Sequence, residues 1–76
     1  MNTLRQVRER IGLSQRKLGR LAGTTGQTIG RIEAGQFNPT PLLAVRIARV
    51  LREPPAMVFP ELAELIAEVR KRSPGA

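Results

Sequence analysis

Residues 14–34 read SQRKLGRLAGTTGQTIGRIEA, and this stretch decides the fold. Two short amphipathic segments lie within it, on either side of Gly23. Ser14 and Thr25 each stand immediately before one segment, where a hydroxyl side chain caps the first turn of a helix. Gly23 permits the positive φ angle that a sharp turn between two helices demands. The stretch therefore predicts two helices joined at a tight corner. They cover about residues 15–22 and 26–34.

A helix pair linked this tightly, with glycine at the turn, is the helix-turn-helix arrangement. Gly19 leaves room for the second helix of the pair to cross closely over the first. The apolar face of that second helix, with Ile29 and Ile32, then points inward. We therefore expect its polar face to be presented outward on a rigid support.

The rest of the chain shows the same helical pattern, and no segment alternates with the period of a strand. Gly12 and Gly35 follow helical segments as C-terminal glycines do. Thr40 before Pro41 is typical of a capping residue followed by proline in the first turn. We predict an all-α fold with six helices. They lie at about residues 3–11, 15–22, 26–34, 41–51, 56–59 and 61–72.

Apolar residues at helical spacing predict the core of this fold. The residues expected to face inward are Leu4, Val7, Ile11, Leu18, Leu21, Ala22, Ile29, Ile32, Leu43, Ala44, Ile47, Ala48, Leu51, Met57 and Phe59.

The C-terminal segment has an apolar stripe of its own. Residues 1–60 are predicted to form one compact domain, and residues 61–76 an additional helix and tail. The stripe consists of Leu62, Leu65, Ile66 and Val69. A small core gains stability from a partner subunit, so we expect this stripe to form the seam of a homodimer. The alternative is that it packs back onto the first and fourth helices of its own chain.

Composition argues against catalysis. The chain has no Cys, His, Asp, Tyr or Trp, so neither a disulfide nor the usual zinc sites can form. Ser14 and Ser73 are the only serines, and neither can have a histidine base. We therefore expect no enzyme activity, no metal and no cofactor. No apolar run approaches the ~18 residues of a membrane span, and we expect a cytoplasmic protein.

The charge is strongly positive and unevenly placed. The net charge is +7, and residues 1–60 hold ten of the Lys and Arg residues against three Glu. Residues 61–76 hold three of each kind and are neutral. A domain this basic suits a polyanionic partner, although a basic surface can also serve solubility alone.

Several motifs resemble the lambda-repressor-like (Cro/XRE) helix-turn-helix family. The resemblance covers roughly residues 2–60 and is carried by Leu13-Ser14-Gln15, Leu18, Gly23-Thr24-Thr25, Gln27-Thr28-Ile29, residues 31–35, residues 36–40 and the segment Leu42–Leu51. It implies a five-helix domain and a sequence-specific regulator of transcription. We expect a repressor that, like relatives in this family, binds double-stranded DNA as a dimer on palindromic half-sites about 34 Å apart.

The resemblance also implies a role for each motif position. The third predicted helix would enter the major groove and contact bases through Gly26, Gln27, Thr28 and Arg31. Gln can pair with adenine and Arg with guanine through two hydrogen bonds each. Phosphate contacts would come from Gln15, Arg16, Lys17, Thr25, Gln36, Phe37 and Asn38.

Two further features follow from the comparison with this family. Gly26 departs from the family pattern, because many relatives have a side chain at this position that contacts bases. Gly30, another position on the outer face, also has no side chain. We expect either a close approach of backbones or fewer specified base pairs. Arg8 and Glu33 match positions that form an internal ion pair in some members.

Two other functions remain open from sequence. The same fold serves in protein-binding regulators such as antitoxins, in which case the neutral sixth helix would dock a partner such as a toxin. RNA binding is less well supported, because two Phe and no Tyr or Trp provide few stacking surfaces.

Overall fold

The computed structural model describes residues 2–72 and contains six α-helices and no strand in that part. The helices are α1 Leu4–Ile11, α2 Gln15–Ala22, α3 Gly26–Glu33, α4 Pro41–Leu51, α5 Pro55–Val58 and α6 Ala63–Arg72, with a 3₁₀ turn at Pro60–Leu62 before α6. The all-α prediction is confirmed. The predicted tail at residues 73–76 lies outside the described residues.

Side-chain caps fix where the central helices begin. The hydroxyls of Ser14, Thr25 and Thr40 accept the backbone N–H three residues later, at 3.0, 3.1 and 3.2 Å. Each bond satisfies one of the N–H groups that a helix leaves unpaired in its first turn. Gly23, which ends α2, has a φ of 81°. The three caps and the turn glycine lie where the sequence predicts them.

One apolar core holds the helices together. It contains Leu4, Val7, Leu18, Ala22, Ile29, Ile32, Ala44, Ile47, Ala48, Leu51, Val58, Phe59 and Ile66. Leu43 is partly buried against it. Most of the predicted inward faces of α1 to α4 are therefore confirmed.

Three residues predicted to face inward are exposed instead: Ile11 (47%), Leu21 (53%) and Met57 (55%). Ile11 is the last residue of α1. Leu21 lines an open groove together with Arg46, Arg49 and Val50 of α4, whereas Ala22, the next residue, is buried in the core. Helix α5 has only one turn and buries Val58, with Phe59 following it into the core. Met57 consequently faces outward.

The apolar stripe of the C-terminal segment is divided by the fold. Ile66 is 2% exposed and belongs to the core, and Leu62 packs partly against the same core. Leu65 faces outward and is 55% exposed, while the side chain of Val69 lies outside the described residues. Leu62 falls in the 3₁₀ turn rather than in α6, so the stripe is not one continuous α-helical face. The alternative of packing within the chain therefore holds for Ile66.

Candidate nucleic-acid interface

Helices α2 and α3 meet backbone against backbone at Gly19. A Cβ atom added there would lie 2.4 Å from the carbonyl carbon of Thr25 and 2.6 Å from the nitrogen of Gly26. Real Cβ atoms essentially never approach other atoms this closely. The room that the sequence predicts at Gly19 is therefore confirmed, and any larger residue would force the corner open.

Gly26 meets the opposite helix in the same way. A Cβ atom there would lie 2.8 Å from the Cα and 2.9 Å from the nitrogen of Arg16. The missing side chain at this position is thus explained by the close approach of α3 to the first turn of α2. Base contact by Gly26 stays a prediction, and its backbone alone could provide it.

The inner face of α3 is anchored and its outer face is free. Ile29 and Ile32 are completely buried. Gln27 and Arg31 are exposed, and neither side chain makes a hydrogen bond or ion pair within residues 2–72. Thr28 is half-buried, and its hydroxyl accepts a hydrogen bond from the Thr25 hydroxyl at 3.0 Å. Two long polar side chains therefore project from a helix that cannot rotate.

A buried ion pair connects α1 to the end of α3. The guanidinium of Arg8 donates from Nε and Nη2 to the two carboxylate oxygens of Glu33, at 2.5 and 3.2 Å. Its Nη1 donates to the Leu13 carbonyl oxygen at 2.8 Å. The side chains of Arg8 and Glu33 are only 10% and 5% exposed. The hydrogen bond to Glu33 raises the pKa of Arg8 above its ordinary value, so the guanidinium stays charged. The pair matches the expectation from the sequence.

Glu33 also holds the side chain of Gln15. The Nε2 atom of Gln15 donates to Oε1 of Glu33 at 3.0 Å, across the start of α2 and the end of α3. A polar chain therefore runs from Arg8 through Glu33 to Gln15. It reaches the surface at the first residue of α2.

The N-terminal turn of α2 forms an electropositive edge beside α3. Arg16 and Lys17 are exposed there and make no ion pair within the described residues. The partial positive charge of a helix N-terminus adds to theirs. Phosphate groups are favoured at such an edge, because backbone N–H groups and cations act together.

The segment that follows α3 is exposed to solvent. Gln36, Phe37 and Asn38 are all exposed. The backbone N–H of Gln36 donates to the Arg31 carbonyl oxygen at 2.9 Å and so closes the end of α3. A phosphate contact from Gln36 would therefore use its side chain, whereas Phe37 and Asn38 donate no backbone N–H within the described part.

The family model described as helix-turn-helix matches residues 4–58, which is most of the chain. The chain belongs to the lambda-repressor-like (Cro/XRE) helix-turn-helix family. This is a family of DNA-binding transcription regulators. The match spans α1 through α5 and includes both helices of the corner.

Curated relatives of this helix-turn-helix chain are named as uncharacterized HTH-type transcriptional regulators. YgzD of Bacillus subtilis (strain 168) is 44% identical over 48 residues, which cover 63% of this chain and 73% of that protein. A protein of Methanothermobacter thermautotrophicus is 46% identical over 52 residues, 67% of this chain and 75% of its own. One of Archaeoglobus fulgidus is 38% identical over 47 residues, 62% and 67% of the two chains.

Sequence reasoning missed two polar contacts of the helix-turn-helix unit. One is the hydrogen bond between Gln15 and Glu33. The other is Asn2, whose amide donates to the Ile32 carbonyl oxygen at 3.0 Å and whose Oδ1 accepts the Leu4 N–H at 3.2 Å. The bond between Gln15 and Glu33 and the bond from Asn2 to Ile32 join residues 18 and 30 positions apart, so no local pattern predicts them.

The described residues contain neither a metal-binding cluster nor a membrane-spanning helix. No group of three or more His, Cys, Asp or Glu side chains that could hold a metal ion occurs among residues 2–72. Within the same range, no helix combines the length and apolar character that a membrane span requires.

Proposed function

We propose that this chain is a sequence-specific regulator that binds double-stranded DNA with α3 in the major groove. The observation that carries the proposal is the outer face of α3, where Gln27 and Arg31 are exposed and unpaired within residues 2–72. The anchored inner face favours a fixed presentation of these side chains to base edges. Thr28 and the backbone of Gly26 complete the proposed reading surface.

Phosphate contacts would flank this surface. We assign them to Gln15, Arg16 and Lys17 in the first turn of α2, to the cap Thr25, and to Gln36, Phe37 and Asn38 after α3. These contacts set the position of the protein on the duplex and carry no sequence information themselves. A binding selection on random duplex DNA tests the whole proposal, since it reports sequence preference, palindromy and half-site spacing together.

Replacing Arg31 by Ala is expected to weaken binding to the selected duplex by ~1–3 kcal/mol and to relax preference at one base position. The reason is that Arg contacts guanine through two hydrogen bonds, which Ala cannot replace. Fluorescence anisotropy with matched and single-substituted duplexes measures both effects. Arg49→Ala is the control, because Arg49 is an exposed cation of α4 in a groove that no α3 residue lines. Equal losses in the two variants would contradict base reading by Arg31.

We propose further that the chain acts as a homodimer and represses by occluding a promoter. One module contacts few base pairs, and two modules on a palindromic operator contact twice as many. Among the described side chains of α6, Leu65 is the large apolar residue that is exposed, and the exposed Glu64 directly precedes it. The proposed seam is therefore the Leu65 face; of the other stripe residues, Ile66 and Leu62 pack within the chain.

Replacing Leu65 by Lys is expected to shift the chain from dimer to monomer without unfolding it. Leu65 is 55% exposed, so a charged side chain there is tolerated by the monomer but not by an apolar seam. Sedimentation equilibrium measures the change, and Leu42→Lys on α4, at 52% exposure, is the matched control. A parent that stays monomeric at all concentrations, or a Leu65→Lys variant that still dimerises, would refute this seam.

The second candidate is a protein-binding regulator such as an antitoxin. It is favoured by the same exposed Leu65 on the charge-neutral C-terminal segment. Salt separates the two functions, because DNA binding weakens steeply as salt rises and apolar docking does not.

A further inference from the structure

Position 30 of α3 has no side chain, and the amide of Gln15 occupies the space beside it. A Cβ atom at Gly30 would lie 3.3 Å from Nε2 of Gln15 and 3.5 Å from its Cδ and Oε1. The neighbour here is a flexible side chain, whereas Gly19 and Gly26 face backbone. The amide of Gln15 therefore lies against α3 at the residue before Arg31.

Glu33 sets the direction of this amide. A carboxylate only accepts hydrogen bonds, so the nitrogen end of the amide must face Glu33. Glu33 cannot swing away, because Arg8 holds both of its oxygens and its side chain is 5% exposed. The second N–H of Nε2 and the Oε1 atom have no partner within residues 2–72. An oriented donor is thus left at the boundary of α2 and α3.

We propose that Gly30 and Glu33 are positioning residues for a contact between Gln15 and a DNA phosphate. Glu33 orients the amide of Gln15, and the absence of a side chain at Gly30 leaves room for it. The remaining N–H of Gln15 donates to a phosphate oxygen, as the helix N-terminus favours. The pairing of Glu33 with Arg8 offsets a negative charge that would otherwise repel the duplex. This inference rests on the proposed DNA binding and adds the means by which one contact is oriented.

A double-mutant cycle on DNA affinity tests the positioning. The full-length parent, Gln15→Ala, Gly30→Ala and the double variant are titrated against a mixed-sequence duplex by fluorescence anisotropy. Gln15→Ala should weaken binding about threefold to tenfold for every sequence, since a phosphate hydrogen bond is lost. Gly30→Ala should also weaken DNA binding, because its Cβ displaces the amide of Gln15 by a few tenths of an ångström. Since both changes act on one contact, the double variant should bind no more weakly than Gln15→Ala.

Two further readouts separate positioning from general damage to the fold. The slope of log affinity against log salt should stay unchanged in all four proteins, because no cation is removed. In NMR spectra, Gly30→Ala should shift the side-chain amide signal of Gln15 and leave the Nε–H signal of Arg8 in place. Gly30→Ala should not lower the free energy of unfolding, because Ala favours a helix more than Gly does.

The outcomes distinguish the inference from the function on which it rests. If the parent binds no duplex at any salt concentration, DNA binding itself is wrong. If the parent binds and Gln15→Ala binds equally well, the phosphate contact and its positioning are both wrong. If Gln15→Ala weakens binding but Gly30→Ala does not, or the two losses simply add, the positioning is overturned while DNA binding stands.

Discussion

Replacing Gly19 by Ala is expected to destabilise the chain by about 3 kcal/mol, although Ala is the better helix former. The new methyl group would lie 2.4 Å from the backbone of Thr25, which belongs to the start of α3 and cannot move alone. The helices must separate, and the buried side chains between them lose contact. A chain of 76 residues has a stability of roughly 4–11 kcal/mol, so a large share of it is lost.

Urea unfolding followed by circular dichroism measures this loss. Gly30→Ala is the matched control, because it makes the same chemical change in the neighbouring helix of the corner. The atoms nearest to its Cβ belong to the flexible Gln15 amide, the first at 3.3 Å, so the variant should be as stable as the parent or up to ~1 kcal/mol more stable. Should Gly19→Ala match Gly30→Ala in stability, α2 and α3 are not in backbone contact.

Replacing Glu33 by Ala is expected to cost ~3–5 kcal/mol of stability, since the buried guanidinium of Arg8 loses its hydrogen-bonded counter-ion and keeps only the exposed Glu9, whose Oε2 lies 4.0 Å from Nη2. The Arg8 side chain is 10% exposed and cannot reach bulk water without moving α1. It cannot escape by losing its proton either, because arginine stays charged throughout the pH range of folded proteins. Because the pKa of Arg8 is raised, the stability that its charged guanidinium contributes is lost only as the pH rises through that raised pKa, above the ordinary value of arginine.

The control for this prediction is an ion pair on the surface. Arg5 and Glu9 pair at 3.3 Å with side chains 68% and 55% exposed, and Arg5→Ala should change stability by less than ~1 kcal/mol. The combined variant Arg8→Met/Glu33→Leu should be less destabilised than Glu33→Ala alone, because no buried charge remains. Chemical denaturation of the parent, Glu33→Ala, Arg5→Ala and the double variant measures these free energies of unfolding. If the double variant has a lower free energy of unfolding than Glu33→Ala, the attraction between the two charges stabilises the packing of α1 against α3. Avoiding an unpaired buried charge would then not be the main effect.

The parts of the fold that depend on local chemistry could be predicted from sequence. A capping hydroxyl accepts a hydrogen bond from an N–H only three residues away, so Ser14, Thr25 and Thr40 indicate where their helices begin. Helical periodicity identifies the buried faces of α1 to α4, because it also depends only on residues close together in sequence. The corner of α2 and α3 follows from Gly23 and from these two helix starts.

Periodicity fails where a helix ends or changes type. Leu21 has the spacing of a core residue, but it lines an open groove beside α4 and is 53% exposed. The 3₁₀ turn at Pro60–Leu62 breaks the apolar stripe of the C-terminal segment, which sequence treats as continuous. The bond between Gln15 and Glu33 joins residues 18 positions apart, and it depends on the final angle between two helices. Such contacts appear only once the tertiary structure is complete.

The backbone contact at Gly19 has a consequence for how this protein can change over time. The angle of the corner is set by main-chain atoms and by residues on its inner side, and none of the exposed side chains of α3 takes part in it. Gln27 and Arg31 can therefore be exchanged without repacking the interior. Under the DNA reading proposed above, substitutions at these two positions alone would change the preferred duplex sequence and leave the framework as it is.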